Sequence, residues 1–113
     1  MATQTNATTK ACIAYLQLNG FNVWRNNNGA VYSKARGCYL KNPLHKQGVS
    51  DIIGYHKKSG KAIFVEIKTG KDKLSIEQYD FLEQARFAGC YAFDVKTLED
   101  LQVKLIDLKT TNL

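Results

Sequence analysis

The stretch AIFVEIKTG, residues 62–70, alternates aliphatic side chains with side chains of other kinds. Successive residues of a strand project to opposite faces, so Ile63, Val65 and Ile67 share one face and Phe64, Glu66 and Lys68 the other. The first face is wholly aliphatic and belongs against a core. The second carries a carboxylate and an ammonium two residues apart, and burying an unpaired charge in an apolar interior is strongly unfavourable. That face is therefore expected to meet water, a metal ion or a charged partner.

Working outward, SDIIGYH at 50–56 reads as a preceding strand, and KKSG at 57–60 joins the two as a hairpin. If the loop is residues 57–60, His56 opposes Lys61 and Asp51 opposes Glu66. If the turn is the tighter Ser59–Gly60, Asp51 opposes Lys68 and Ile53 opposes Glu66. Opposed residues of an antiparallel pair project from the same face, so both registers gather Asp51, Glu66 and Lys68 on one side. Two converging carboxylates repel unless a cation lies between them, and hard oxygen ligands suit Mg²⁺ or Mn²⁺. Such an ion can polarise a phosphoryl oxygen and lower the pKa of a bound water, which Lys68 is placed to orient or help deprotonate. By itself Glu-x-Lys better suits a surface pair on an edge strand. The co-facial Asp51 and the aliphatic opposite face favour a site.

The rest of the chain supplies the scaffold. TTKACIAYLQLN at 8–19 has helical spacing and a glycine stop at Gly20, FNVWRN at 21–26 reads as a strand, and NNNGA at 26–30 as a turn. VYSKARGCYL at 31–40 reads as one irregular strand, and KNPLHKQG at 41–48, with the only proline, as a loop. Ser75 with Gln78 three residues on forms a capping box that opens a helix running to Gly89. CYAFDV at 90–95 is a further strand. Thr97 caps a last segment in which Leu98, Leu101, Leu105 and Leu108 suit a helix, although VKLIDL at its end also alternates like a strand. This order gives an α/β domain with a mixed central sheet flanked by helices.

The 113 residues suffice for a single domain, 1–113, with one core. No apolar run approaches the ~20 residues that span a bilayer, and the polar start MATQTNATTK lacks the apolar centre of a signal peptide, so a cytoplasmic protein without a membrane role is expected. Cys12, Cys38 and Cys90 form no CxxC pair and read as reduced, mostly buried thiols. The net charge of +6 is unevenly spread. Lys10, Arg25, Lys34, Arg36, Lys41 and Lys46 precede the first acidic residue, Asp51, whereas the remaining ten basic residues are matched by ten acidic ones. A one-sided positive field suits a polyanion, and Arg25, Lys34, Arg36 and Lys46 are the candidate nucleic-acid contacts. Trp24, Tyr32 and Tyr39, interleaved with these cations, are candidates for base stacking; for Trp24 a place in the core is the stronger expectation. His45 and His56 are expected at the surface or in a strand, and not as ligands.

The run GVSDIIGYHKKSGKAIFVEIKTGKDKLSIEQYDFLEQARFAG resembles the PD-(D/E)xK nucleases, specifically the virus-type replication-repair nuclease (VRR-NUC) domain in its stand-alone, phage-type form. The resemblance rests on GVSD with Asp51, EIK with Glu66 and Lys68, and LSIEQ with Gln78, in that order. VWRNNNGA at 23–30 is also similar to the segment preceding the site in phage members. It implies a restriction-endonuclease-like core and catalytic roles for Asp51, Glu66, Lys68 and Gln78. It also implies metal ligation by Asp51, Glu66 and the backbone carbonyl of Ile67. For Gln78, capping alone is an alternative, although Gln78, Phe81, Leu82 and Ala85 share the helical face expected to turn toward the sheet. The chain departs from the pattern at Ser50, where proline is common, and on the first helix, where relatives often carry a glutamate. Here Gln4, Thr5 or Asn6 occupies that neighbourhood, which leaves the number of bound metals open.

The function expected is a Mg²⁺- or Mn²⁺-dependent endonuclease acting on DNA phosphodiesters in a bacterial or phage-infected cell, with branched DNA such as Holliday junctions among the substrates to test. Symmetric cutting of a four-way junction needs two active sites and implies a homodimer. The competing reading is a catalytically weak nucleic-acid-binding module that keeps the fold and the basic face.

Overall fold

A computed structural model describes residues 2–26, 31–40 and 48–111. In chain order the elements are α1 (Ala2–Leu18), β1 (Phe21–Arg25), β2 (Val31–Ser33), β3 (Cys38–Leu40), β4 (Ile52–His56), β5 (Ala62–Ile67), α2 (Ile76–Phe87), β6 (Tyr91–Val95) and α3 (Leu98–Thr111). The main sheet has the order β1-β4-β5-β6. β1, β4 and β5 are antiparallel neighbours, and β6 adds parallel to β5 after the α2 crossover.

The alternation of residues 62–70 decides how the layers stack. Ile63, Val65 and Ile67 are buried with Cys12 and Leu16 of α1, Val23, Phe93, and Leu101 and Leu105 of α3 in one core. Phe64, on the other face, packs with Leu82, Ala85 and Ala92, its ring meeting Phe81 edge-on at a centroid distance of 4.9 Å. Thus α1 and α3 cover one face, while α2 covers the β5–β6 part of the other. Among the described residues no helix packs on the β1–β4 part of that second face, and Trp24 (47% exposed) and Tyr55 (42%) stand out from it. Trp24 is therefore not a core residue: Phe21 and Val23 take the inward positions of β1, and the alternation turns Trp24 outward.

Three further expectations change. α1 begins at Ala2 and not near residue 8. Thr and Asn are weak helix formers, but Thr9 Oγ1 donates to the Thr5 carbonyl at 2.8 Å and Thr5 Oγ1 meets Thr69 Oγ1 at 2.7 Å, so tertiary contact extends the helix. Residues 31–40 form a separate two-stranded hairpin, β2 with β3, in place of one irregular strand. The reversal uses Gly37 at φ +65°, a conformation that side chains with a Cβ rarely adopt. Among the cysteines, Cys12 is buried, Cys90 half-buried and Cys38 exposed; burial, with Glu99 nearby, pushes the Cys12 thiol up to about 11.

Candidate active site

The loop of the β4–β5 hairpin fixes the register. His56 N–H donates to the Lys61 carbonyl and Gly60 N–H to the His56 carbonyl, each at 2.8 Å, which selects the four-residue loop 57–60. The ladder then pairs Ile52 with Val65 and Ile53 with Phe64. One step further, Asp51 stands beside Glu66. Asp51 Oδ2 accepts from the Ile67 N–H at 2.9 Å, so the carboxylate leans along β5 and is fixed by its backbone.

The backbone around Asp51 is held from both sides. Asn26, just beyond β1, donates its N–H to the Asp51 carbonyl at 2.7 Å and its side-chain amide to the Ser50 carbonyl at 3.2 Å. On the other side Gly48, at φ +84°, lies so close to α2 that a Cβ there would sit 2.4 Å from the Glu77 carbonyl oxygen. The glycine of GVSD thus lets the Asp51 segment dock on the first turn of α2. Ser50 is fully buried, and its hydroxyl has no hydrogen-bond partner among the described residues.

Glu66 is buried, only 2% exposed. Its Oε1 accepts from Gln78 Nε2 at 3.3 Å, and its Oε2 has no hydrogen-bond donor among the described residues. The neighbouring Asp51 is a second carboxylate, so the pair requires a shared proton or, with both groups ionised, a cation. Burial first, then Asp51, then Asp94 raise the Glu66 carboxyl from 4.5 to about 9, against the opposing pull of Lys68. Glu66 therefore does not meet open water. A shared proton, a metal ion or a charged partner suits the buried, orphaned oxygen.

Lys68 is half-buried just past β5, its N–H donating to the Val95 carbonyl at 2.9 Å. Gln78 has both of the roles that the sequence leaves as alternatives. Its Oε1 accepts from the Ser75 N–H at 2.9 Å while Ser75 Oγ accepts from the Gln78 N–H at 3.1 Å, and its amide nitrogen meanwhile reaches Glu66. Helix capping thus orients a donor at the carboxylate. In the helix-1 neighbourhood, Thr5 reaches Thr69 beside Lys68, and Asn6 Oδ1 accepts from Arg25 Nη1 at 3.2 Å.

Of the proposed nucleic-acid contacts, Arg25, Lys34 and Arg36 are exposed. Lys46 and His45 lie outside the described residues, as do the side chains of Tyr32 and Tyr39. His56 meets the Phe21 ring at a tilt of 60° and pairs its Nδ1 with Ser59 Oγ at 3.0 Å, at the opposite end of β4 from Asp51. Two residues of the site escape a reading of the sequence. Asn26 is absorbed into a turn, although it directly follows β1 and can donate from its side chain. Asp94 is the in-register neighbour of Glu66 across the parallel β5–β6 pair. Its only sequence signal is being polar in an otherwise apolar YAFDV.

A mixed four-stranded sheet, helices on both faces, and an Asp and a Glu-x-Lys at the ends of adjacent strands define a restriction-endonuclease-like, nuclease-type fold. The VRR-NUC domain profile matches residues 10–97, and the chain belongs to that family. A solved structure described as a VRR_NUC domain superposes with a TM-score of 0.64 at 16% identity, over 97% of this chain and 98% of that one. Comparison with curated proteins gives no match.

Proposed function

We propose that this domain is a divalent-metal-dependent endonuclease that hydrolyses DNA phosphodiesters. The observation that carries the reading is the buried Glu66, with an orphaned carboxylate oxygen, set between Asp51 and the Gln78 amide and two residues from Lys68. The donor set is hard oxygen, as Mg²⁺ or Mn²⁺ prefers, and Asp51 and Glu66, with the Ile67 carbonyl, would hold the ion. When bound, such an ion supplies Lewis-acid polarisation of a phosphoryl oxygen and a water of lowered pKa. Gln78 holds the Glu66 carboxylate in one orientation, and the Ile67 N–H does the same for Asp51. Lys68 sets a cation where the attacking water is oriented and negative charge grows on the phosphate. Arg25, Lys34 and Arg36 supply exposed positive charge for the backbone of the DNA.

The test is cleavage of supercoiled plasmid, linear duplex and a synthetic four-way junction in Mg²⁺, Mn²⁺ or EDTA. Asp51→Asn and Glu66→Gln are expected to abolish cutting, and Lys68→Ala to slow it by about 10²- to 10⁴-fold, with DNA affinity in EDTA retained. Wild-type cutting by Glu66→Gln would reject the site, and metal-independent binding without cleavage would leave a binding module. Preference for the junction, with paired cuts and a dimeric mass in solution, is the outcome expected if branched DNA is the substrate.

A further inference from the structure

Residues 5–9 of α1, TNATT, take no part in the apolar packing of the domain. The helix reaches the core through Cys12, Ile13, Tyr15 and Leu16, and none of residues 5–9 joins either hydrophobic cluster. Threonine and asparagine are weak helix formers, so these turns need another source of order. Their hydrogen bonds supply it, and two of them lead to strand ends at the candidate site. Asn6 Oδ1 accepts from Arg25 Nη1 at the end of β1. Thr5 Oγ1 meets Thr69 Oγ1 at 2.7 Å, two residues past the end of β5, and the Thr5 carbonyl is fixed in turn by the buried Thr9 hydroxyl at 2.8 Å.

Thr69 directly follows Lys68. It is 4% exposed and turned to α1, on the side that buries Ile67, whereas Lys68 acts on Glu66 from the other side. The β5–β6 ladder ends at Ile67 paired with Val95, so beyond it the chain is held by separate contacts. Lys68 keeps its N–H on the Val95 carbonyl at 2.9 Å, and the turn after it closes through the Asp72 N–H and the Thr69 carbonyl at 3.2 Å. From the β6 side Lys96 Nζ donates to the carbonyls of Gly70 (3.1 Å) and Asp72 (3.4 Å). The Lys68 ammonium sits on a flexible four-carbon stem, and among the described residues it has no hydrogen bond or ion pair. Its place at the carboxylates therefore depends on where the backbone of residues 68 and 69 is anchored.

We infer that Thr69, through its hydroxyl contact with Thr5, is a positioning residue for Lys68: the first turns of α1 hold the end of β5 so that the ammonium stays at the site. The inference rests on the nuclease reading, in which Lys68 acts on the phosphate, and its test separates the two. Plasmid cleavage in Mn²⁺ is followed for wild type, Thr69→Val, Thr69→Ser and Thr5→Val, and for Thr69→Val combined with Thr5→Val and with Lys68→Ala. Valine keeps the shape of threonine without the hydroxyl, and serine keeps the hydroxyl. Thr69→Val is expected to lower kcat by about 10- to 10²-fold with KM little changed, the effect of a reacting group displaced by about an ångström. Thr69→Ser should restore kcat. Thr5→Val, from the far side of the same contact, should give the same fall as Thr69→Val and the double variant no more, because both remove one interaction. Beside Lys68→Ala, Thr69→Val should cost nothing further, since the group it positions is gone. Melting curves give the folded fraction to which each rate is referred, and Thr5→Val decides the matter if Thr69→Val does not fold. Wild-type kcat in the valine variants with a lowered melting temperature, or a full Thr69→Val effect beside Lys68→Ala, overturns the inference and leaves the nuclease reading standing. No cutting by wild type overturns both.

Discussion

Glu66 concentrates the conflict between folding and chemistry in this domain. A carboxylate that is 2% exposed, with Asp51 and Asp94 as neighbours, is held near pKa 9 against an ordinary value of 4.5. The sign of the stability effect follows directly. Between those two values the folded chain binds the proton and the unfolded chain does not, so stability is fully present below about 4.5 and is lost as pH rises toward 9. In EDTA the melting temperature is therefore expected to fall between pH 5 and pH 9, with a slope of at most about 1.4 kcal/mol per pH unit for the one proton. Glu66→Gln, which cannot ionise, should flatten that slope and melt above wild type near pH 8. Saturating Mn²⁺ should recover stability for wild type at the alkaline end and do little for the variant. A slope that persists unchanged in Glu66→Gln would assign the titration to another group. The place of this residue in the site is legible in the sequence because either hairpin register sets Asp51 on the same face as Glu66 and Lys68. Its burial is not, because alternation says which face a side chain takes and not which helix will cover it.

At the scale of elements, local signals carry the hairpin and the cap, and pairings between distant segments stay hidden. The loop KKSG allows two registers, and only the hydrogen bonds at His56 choose between them. The Ser75–Gln78 box is readable because capping is written in four consecutive residues. By contrast, the alignment of Glu66 with Asp94 is set by how α2 carries the chain across the sheet, and no turn residue encodes it. Trp24 defeats the core expectation for the same reason: an aromatic at an alternate strand position belongs to whichever face has a cover, and α2 reaches β5 and β6. Exposed on the same face as Glu66, and the only tryptophan in the chain, it is a spectroscopic probe of that surface. Adding single-stranded or junction DNA in EDTA is expected to quench its fluorescence. Trp24→Ala should weaken affinity by roughly 5- to 150-fold, the equivalent of about 1–3 kcal/mol for one stacked base. An emission spectrum unchanged at saturating DNA would remove Trp24 from the interface.

For the whole molecule, the path of the chain ties part of the acid-free first fifty residues to one end of the sheet. The segment between β1 and β4 leaves where Asn26 clamps Asp51 and returns where Gly48 docks on α2. It therefore starts and finishes beside the candidate site, and the exposed Lys34 and Arg36 lie in the β2–β3 turn within it. Lys57 and Lys58 are equally basic and exposed, but they occupy the β4–β5 loop at the other end of the sheet. Composition alone reveals the uneven charge; the geometry adds a matched control. If DNA lies across the site end, Lys34→Ala with Arg36→Ala should weaken binding to many sequences about equally, because backbone contacts position a duplex without reading its bases. The log-log dependence of affinity on salt should flatten by about 0.9 for each duplex phosphate that the variant no longer neutralises. Lys57→Ala with Lys58→Ala removes the same formal charge and should leave the slope close to wild type, since screening confines the influence of an exposed cation to about 10 Å at 0.1 M salt. Affinities for a duplex and a junction, measured at several salt concentrations in EDTA, decide the matter. An unchanged slope in the Lys34/Arg36 variant, or a larger change in the Lys57/Lys58 control, would put the DNA at the opposite end of the sheet, away from Asp51 and Glu66.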